Sequence, residues 1–302
     1  MSYEWHVEAV DAWTVATTTD EPQTADEPLG TKAKFWVVDP DGRRCLFKYA
    51  RAPQGRTMGE DWVEWAVHHL ATMLSIPSAT AIPATHEGQR GVLSRSVLTA
   101  DDRLVHGNEL LTLTDPEYDA TAEREYHRYT IDAVRRALDG IAAPTSCGAP
   151  ITTAFDAWAG YLMLDAWVAG RDRHHENWAV IERAGELSLA PSFDHGNALG
   201  FQVAEAEARN LSLDGNRLVK WARRGRSHHF NGRPGLVDLA TTALGLADRE
   251  ARDFWIAKLA AVTDDEVASL LASVPADYLS DPARKFAVKL LHLNKERILD
   301  GD

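Results

Sequence analysis

The sequence predicts an α+β protein of two lobes, a β-rich lobe over residues 1–99 and a mainly helical lobe over residues 104–302. Strand-like runs and turn sequences crowd the first third, apolar spacings of three and four dominate the rest, and the composition shifts at TADDR, residues 99–103. With 302 residues, 45% of them hydrophobic and ten of them tryptophan, the chain has enough apolar surface to bury an ample core.

Residues 3–17 alternate loosely and are rich in Val, Trp and Ala, which predicts a strand, and the acidic TTTDEPQTADEPLG that follows predicts a loop. Phe35 to Val38 and Arg44 to Tyr49 are strand runs joined across Asp39-Pro40-Asp41-Gly42, a turn sequence whose glycine takes positive φ, so they predict a hairpin. From Glu60 to Leu74 the period becomes helical, with Val63, Ala66, Val67, Leu70 and Leu74 on one face and Ser75-Ile76-Pro77 closing the run. Strand pieces follow at Ala79 to Ile82 and Gly91 to Leu98. Further on, Ile131, Val134 and Leu138 mark one amphipathic helix, and Phe155, Trp158 and Leu162 mark another. Thr263 and Glu266 make a capping box, and Asp281-Pro282 opens a last helix with Phe286, Leu290 and Leu293 on one face.

The net charge of -13 repels phosphate backbones, so no nucleic-acid partner is expected. Cys45 and Cys147 form no C-x-x-C pair, which removes support for a disulfide framework or zinc knuckle. The start MSYEWHVEAV lacks the basic and apolar regions of a secretory signal, and no uncharged run approaches the ~18 residues of a membrane span, so a cytoplasmic location is expected.

The chemistry concentrates in GRDRHHENWAVI, residues 170–181, straight after the apolar run Phe155 to Ala169. Asp172 and Asn177 stand five apart, and Asp194 follows in SFDHG after a short hairpin formed by Val180 to Ile181 and Leu187 to Leu189. Phosphoryl transfer from ATP needs an acid near the attacking hydroxyl, oxygen ligands for Mg2+ and a lysine on the phosphates. Asp172 suits the first role. Asn177 and Asp194 suit magnesium, which takes few protein oxygens and keeps several waters. Lys48 lies in the apolar strand CLFKYA, where an ammonium needs an anionic partner; Glu60 and Glu64 on the following helix are both in reach, and Glu64 is the better embedded. Asp165, further up the helix, is either an anchor for the loop or a partly exposed helix aspartate. His174, His175 and His195 suit a transition metal as an alternative, though adjacent loop histidines usually point apart.

A β-rich lobe with one helix joined to a helical lobe is the arrangement of the bilobal protein-kinase-like fold. With LFK and EWAVHHLATMLSIP upstream, GRDRHHENW followed by SFDHG resembles the HipA-like serine/threonine kinases, and D-R-H-x-x-N with a later D-x-G is similar to the phosphatidylinositol kinases. The ordered motifs span residues 28–200. The resemblance implies that Lys48 contacts ATP phosphates and pairs with Glu64, that Asp172 is catalytic, and that Asn177 and Asp194 bind Mg2+. It gives His174 a structural or transition-state role, and it matches Gly30 and Lys34 to a phosphate loop. The implied activity is ATP- and Mg-dependent phosphorylation of Ser or Thr on a protein substrate, in the manner of a toxin-type kinase. Residues 1–27 leave no room for the toxins' extra N-terminal subdomain, and the place of their autophosphorylated serine is near Glu27, so antitoxin docking and loop inactivation are not expected to carry over. A small-molecule or lipid kinase, or an inactive nucleotide-binding regulator, are the alternatives. The basic stretch RLVKWARRGRSHHFNGR, residues 217–233, is either a docking segment for an acidic substrate or a solvated, mobile loop.

Overall fold

The structure, a computed structural model, describes residues 3–16, 34–99 and 101–301. The acidic loop, Gly30 and Glu27 lie outside the described residues. Strands β1 (Glu8–Ala9), β2 (Thr14–Val15), β3 (Lys34–Val38), β4 (Arg44–Tyr49), β5 (Ala81–His86) and β6 (Gln89–Arg95) form one sheet in the order β1-β5-β6-β4-β3-β2. Its pairs are antiparallel except β1 with β5. The β3–β4 turn closes because Asp39 Oδ1 accepts from the amides of Asp41 at 3.0 Å and Arg43 at 2.7 Å, while Gly42 takes φ 79°.

The β5 and β6 strands lie a few residues away from the spans predicted. Pro83, a residue that argues against strand, pairs with Val92 inside β5, and the link between the strands is the two-residue turn Glu87-Gly88, both at positive φ. Alternation along β4 sorts the faces: Cys45 and Phe47 enter a core with Val10, Val37, Ala84 and Leu93. Leu46 and Lys48 therefore turn to the other face, which helix α1 (Glu60–Met73) covers by packing on β5 and β6.

The rest of the chain is mainly helical but carries a second sheet, β7 (Arg103–His106), β8 (Ala179–Arg183) and β9 (Glu186–Leu189), in that order. Its helices are α2 (Gly107–Thr114), α3 (Ile131–Ala137), α4 (Ala154–Val168), α5 (Glu205–Leu213), α6 (Gly215–Arg223), α7 (Leu236–Leu246), α8 (Arg249–Ala261), α9 (Asp264–Ala272) and α10 (Asp281–Asp300). The predicted stripe on α4 is not what is found: all 15 of its residues are buried. Helices α7, α8 and α10 and strand β9 pack around it, and a helix surrounded by neighbours needs no polar face. Gly160 permits one of these contacts, since a Cβ there would lie 2.6 Å from the Trp255 indole of α8. Thr263 and Glu266 complete the capping box of α9, and Pro282 lies in the first turn of α10.

The basic stretch is not a continuous loop. Its first part is α6, capped by the Asp214 carboxylate on the Arg217 amide and packed through Leu218 and Ala222. Farther on, Ser227, His229 and Phe230 are buried. Among the described residues no helix is long and apolar enough to cross a membrane.

Candidate active site

Strand β4, helix α1 and the segment after β9 bring three of the predicted residues together. Lys48, 9% exposed, places its ammonium 3.1 Å from Asp194 Oδ1 and 3.7 Å from Glu64 Oε1. Burial makes such a cation costly unless anions face it, and here two do. Glu60, one turn before Glu64, faces Arg51 instead: its carboxylate takes the Arg51 amide at 2.8 Å and Nε at 2.6 Å. Asp194 has φ 58°, a left-handed conformation that costs an aspartate less than most residues. Gly196 lets this segment approach α1, because a Cβ there would lie 3.1 Å from Glu64 Oε1. Lys34 is the register partner of Lys48 across β3 and β4, so both side chains rise from the same sheet face, side by side.

Asp172 and Asn177 come from the loop after α4. That helix ends on Ala169 at φ 56°, with the Gly170 amide donating to the Asp165 carbonyl at 2.7 Å. Asp165 is 6% exposed and holds Arg173 in a fork, Oδ2 to Nε at 2.7 Å and Oδ1 to the guanidinium at 2.8 Å. Burial pushes the Asp165 carboxyl upward, and the guanidinium opposes it. Arg173 also donates to the Asn177 carbonyl at 2.9 Å, Tyr129 Oη donates to the Arg173 carbonyl at 3.0 Å, and the Asn108 amide donates to the His175 carbonyl at 3.1 Å. The carbonyls of Arg173, His175 and Asn177 are thus held by protein. Asn177 Nδ2 donates to the Asp172 carbonyl at 2.7 Å, which fixes the amide and leaves its oxygen as the donor atom for a cation.

Asp172 and Asp194 line one small cavity with Gly170, Arg173, His195 and Asn197. Burial alone would raise the Asp172 carboxyl, but the hydrogen bond from His229 and the charges of His229 and His174 outweigh it and hold it below the usual carboxylate value. His229 Nε2 lies 2.6 Å from Asp172 Oδ1. The sequence offers no local signal for this contact: the two residues are 57 apart, and His229 is hidden in the basic stretch.

His174 turns away from Asp172. Its Nε2 donates to the Ala122 carbonyl at 2.9 Å, and its Nδ1 lies 3.4 Å from Glu176. His175 accepts from or donates to Tyr118 Oη at 2.7 Å and is pushed down to about 3, chiefly by burial and then by the charges of His174 and His229. Burial likewise lowers His195 to about 3, with Arg173 adding to it. Among the described residues, possible metal ligands gather as Asp172, His228 and His229, and as His174, His175 and Glu176; His195 joins neither group.

A curled sheet with one helix laid on a helical body, and a buried lysine between a helix glutamate and a loop aspartate, define a bilobal protein-kinase-like fold. One solved structure agrees: the chain is similar to the Helicobacter pylori proinflammatory kinase CtkA, with a TM-score of 0.73 at 15% identity over 98% of this chain and 96% of that one. A Shewanella oneidensis MR-1 structure of the toxin–antitoxin system HipA and HipB with operator DNA aligns at a TM-score of 0.41 and 11% identity, over 95% of this chain and 70% of that one. No protein-family model matches the sequence, and no curated protein does.

Proposed function

We propose that the protein is a HipA-like kinase that moves the γ-phosphoryl group of ATP, with Mg2+, to a serine or threonine hydroxyl of a protein. One juxtaposition carries the reading: Lys48 lies between Glu64 and Asp194, and Asp194 shares a cavity with Asp172. The donor set fits the groups it would hold. Asp194 and Asn177 offer oxygen alone, as magnesium prefers, and two lysines on one sheet face suit a polyphosphate, since like charges placed side by side favour an anion between them. Residues 1–99 would be the nucleotide-binding lobe and residues 104–302 the catalytic one. Gly30 would belong to a phosphate loop, with Lys34 at the start of β3 facing the same anion.

In this reading Lys48 holds the phosphates, and Glu64 keeps the lysine in place. Asp172 accepts the proton of the acceptor hydroxyl as its oxygen bonds to the γ-phosphorus and the bond to ADP breaks. Asn177 and Asp194 would hold Mg2+, which would neutralise charge on the phosphates. His174 braces the loop through Ala122 and Glu176. The exposed heads of Lys220, Arg223, Arg224, Arg226 and Arg233 would steer an acidic substrate surface to the site.

Purified protein incubated with labelled ATP and Mg2+, alone and with cell lysate or lipid vesicles, should label protein at Ser or Thr. Label in lipid or a small molecule would instead favour the other acceptors, and no label with retained nucleotide binding would mean a regulator. Asp172→Ala should lower turnover roughly 10² to 10⁴-fold with little change in nucleotide affinity. Asp194→Ala should weaken Mg-dependent nucleotide binding; equal nucleotide loss in both variants contradicts the division of roles.

A further inference from the structure

We propose that His229 is the positioning residue of Asp172: it donates Nε2–H to Oδ1 and so aims Oδ2 at the acceptor hydroxyl, an assignment that rests on the phosphotransfer reading above. A carboxylate only accepts hydrogen bonds, so the 2.6 Å contact requires the proton to be on Nε2. His229 Nδ1 is buried and has no hydrogen-bond partner among the described residues. Among the described residues Nε2–H is thus the one polar contact of the ring. The His229 side chain is 9% exposed, whereas the Asp172 side chain keeps 40% of its surface open. One carboxylate oxygen is tied from behind, and the group remains reachable from the front.

Arg171 and His174 do not take this role. Arg171 Nε donates to the Arg226 carbonyl at 3.3 Å, and both nitrogens of His174 are engaged elsewhere. Nor is His229 carried on a closing flap. The segment is stitched on both sides: the His228 amide donates to the Arg171 carbonyl at 3.2 Å, the Tyr126 amide to the His229 carbonyl at 3.0 Å, and the Asn231 amide to the Tyr129 carbonyl at 3.0 Å. The Ser227 amide reaches the Pro234 carbonyl at 3.0 Å, and Phe230 packs on Tyr129 with ring centroids 4.2 Å apart. A side chain held this firmly fixes its partner, and correct orientation of a reacting group is a large part of what such a site contributes.

The test uses the full-length chain with His229→Leu and His229→Gln, since a glutamine places its amide N–H close to where imidazole Nε2 lies. His229→Leu should lower kcat about 10- to 100-fold while the KM for ATP stays within about twofold, and His229→Gln should recover most of the loss. Independently of activity, the imidazole 15N resonances of His229 should report a proton on Nε2, and the hydrogen-bonded proton should vanish in Asp172→Ala. A wild-type kcat in His229→Leu, equal losses in the leucine and glutamine variants, or an Nδ1–H tautomer would overturn the assignment and leave the kinase reading standing. A wild-type chain that binds ATP and transfers nothing would overturn both.

Discussion

Arg173 is the residue on which the loop turns. Its guanidinium is buried, and among the carboxylates of the described residues its charge is answered by Asp165, through two hydrogen bonds of 2.7 and 2.8 Å. Asp165→Ala should therefore destabilise the fold by about 3–5 kcal/mol, the usual cost of leaving one member of a buried pair behind. Urea unfolding of the variant measures it, and a loss under about 1 kcal/mol would mean that the charge finds another partner. The sequence left Asp165 open between this role and an exposed position, because a helix aspartate looks the same in either. The pairing of Lys48 was more legible, since an ammonium inside an apolar strand demands an anion and the next helix opens with carboxylates, Glu60 and Glu64 among them. His229 was not legible. A contact made across 57 residues leaves no periodicity or spacing to read, and the arginines around it suggested a solvated surface.

At the scale of elements, what could be read was whatever local rules govern. The β3–β4 hairpin follows from its Asp39 turn, and α1 from its apolar spacing. The burial of α4 on all sides could not be read, because it depends on helices that arrive nearly a hundred residues later. Helix α1 also carries a pH response. Burial, helped by the charges of His69 and Arg95, pushes His68 down to about 4 from its ordinary 6.5. Its Nδ1 lies 2.8 Å from Ser78 Oγ, so the neutral ring is already accommodated. As pH falls below 6.5 the unfolded chain takes up the proton first, so stability is full above that value and drains until the folded ring titrates near pH 4. Over that window the slope from this group is on the order of 1.4 kcal/mol per pH unit. His68→Gln should flatten the pH dependence of the urea midpoint between pH 6.5 and about 4 relative to wild type. Parallel curves for the two proteins would refute the assignment.

The whole molecule is joined by α1, which belongs to the sheet and to the helical body at once. Val63, Ala66, Val67 and Leu70 share one core with Trp158, Trp167, Leu290 and Leu291 of α4 and α10. At its edge Arg90 of β6 forks onto Asp61 at 2.8 and 3.1 Å, donates to the Asp277 carbonyl at 2.9 Å, and stacks its guanidinium 3.7 Å from the Tyr278 ring. Trp5 wedges between Trp65 and Tyr278, with ring centroids 5.0 and 4.9 Å away. The Asp61 side chain is fully buried, so Arg90→Ala leaves a carboxylate in the interior and should remove about 3–5 kcal/mol of stability. Arg90→Lys should restore little of it, since an ammonium can neither fork onto both oxygens nor stack as a plane on the tyrosine. A core that runs unbroken from α1 to α10 also fixes how the loss is expressed: the weakened variant should still unfold in one transition, with tryptophan fluorescence and circular dichroism coinciding. Two separated transitions would mean that the sheet and the helical body unfold independently, and that the latch at Arg90 rather than the shared core couples them.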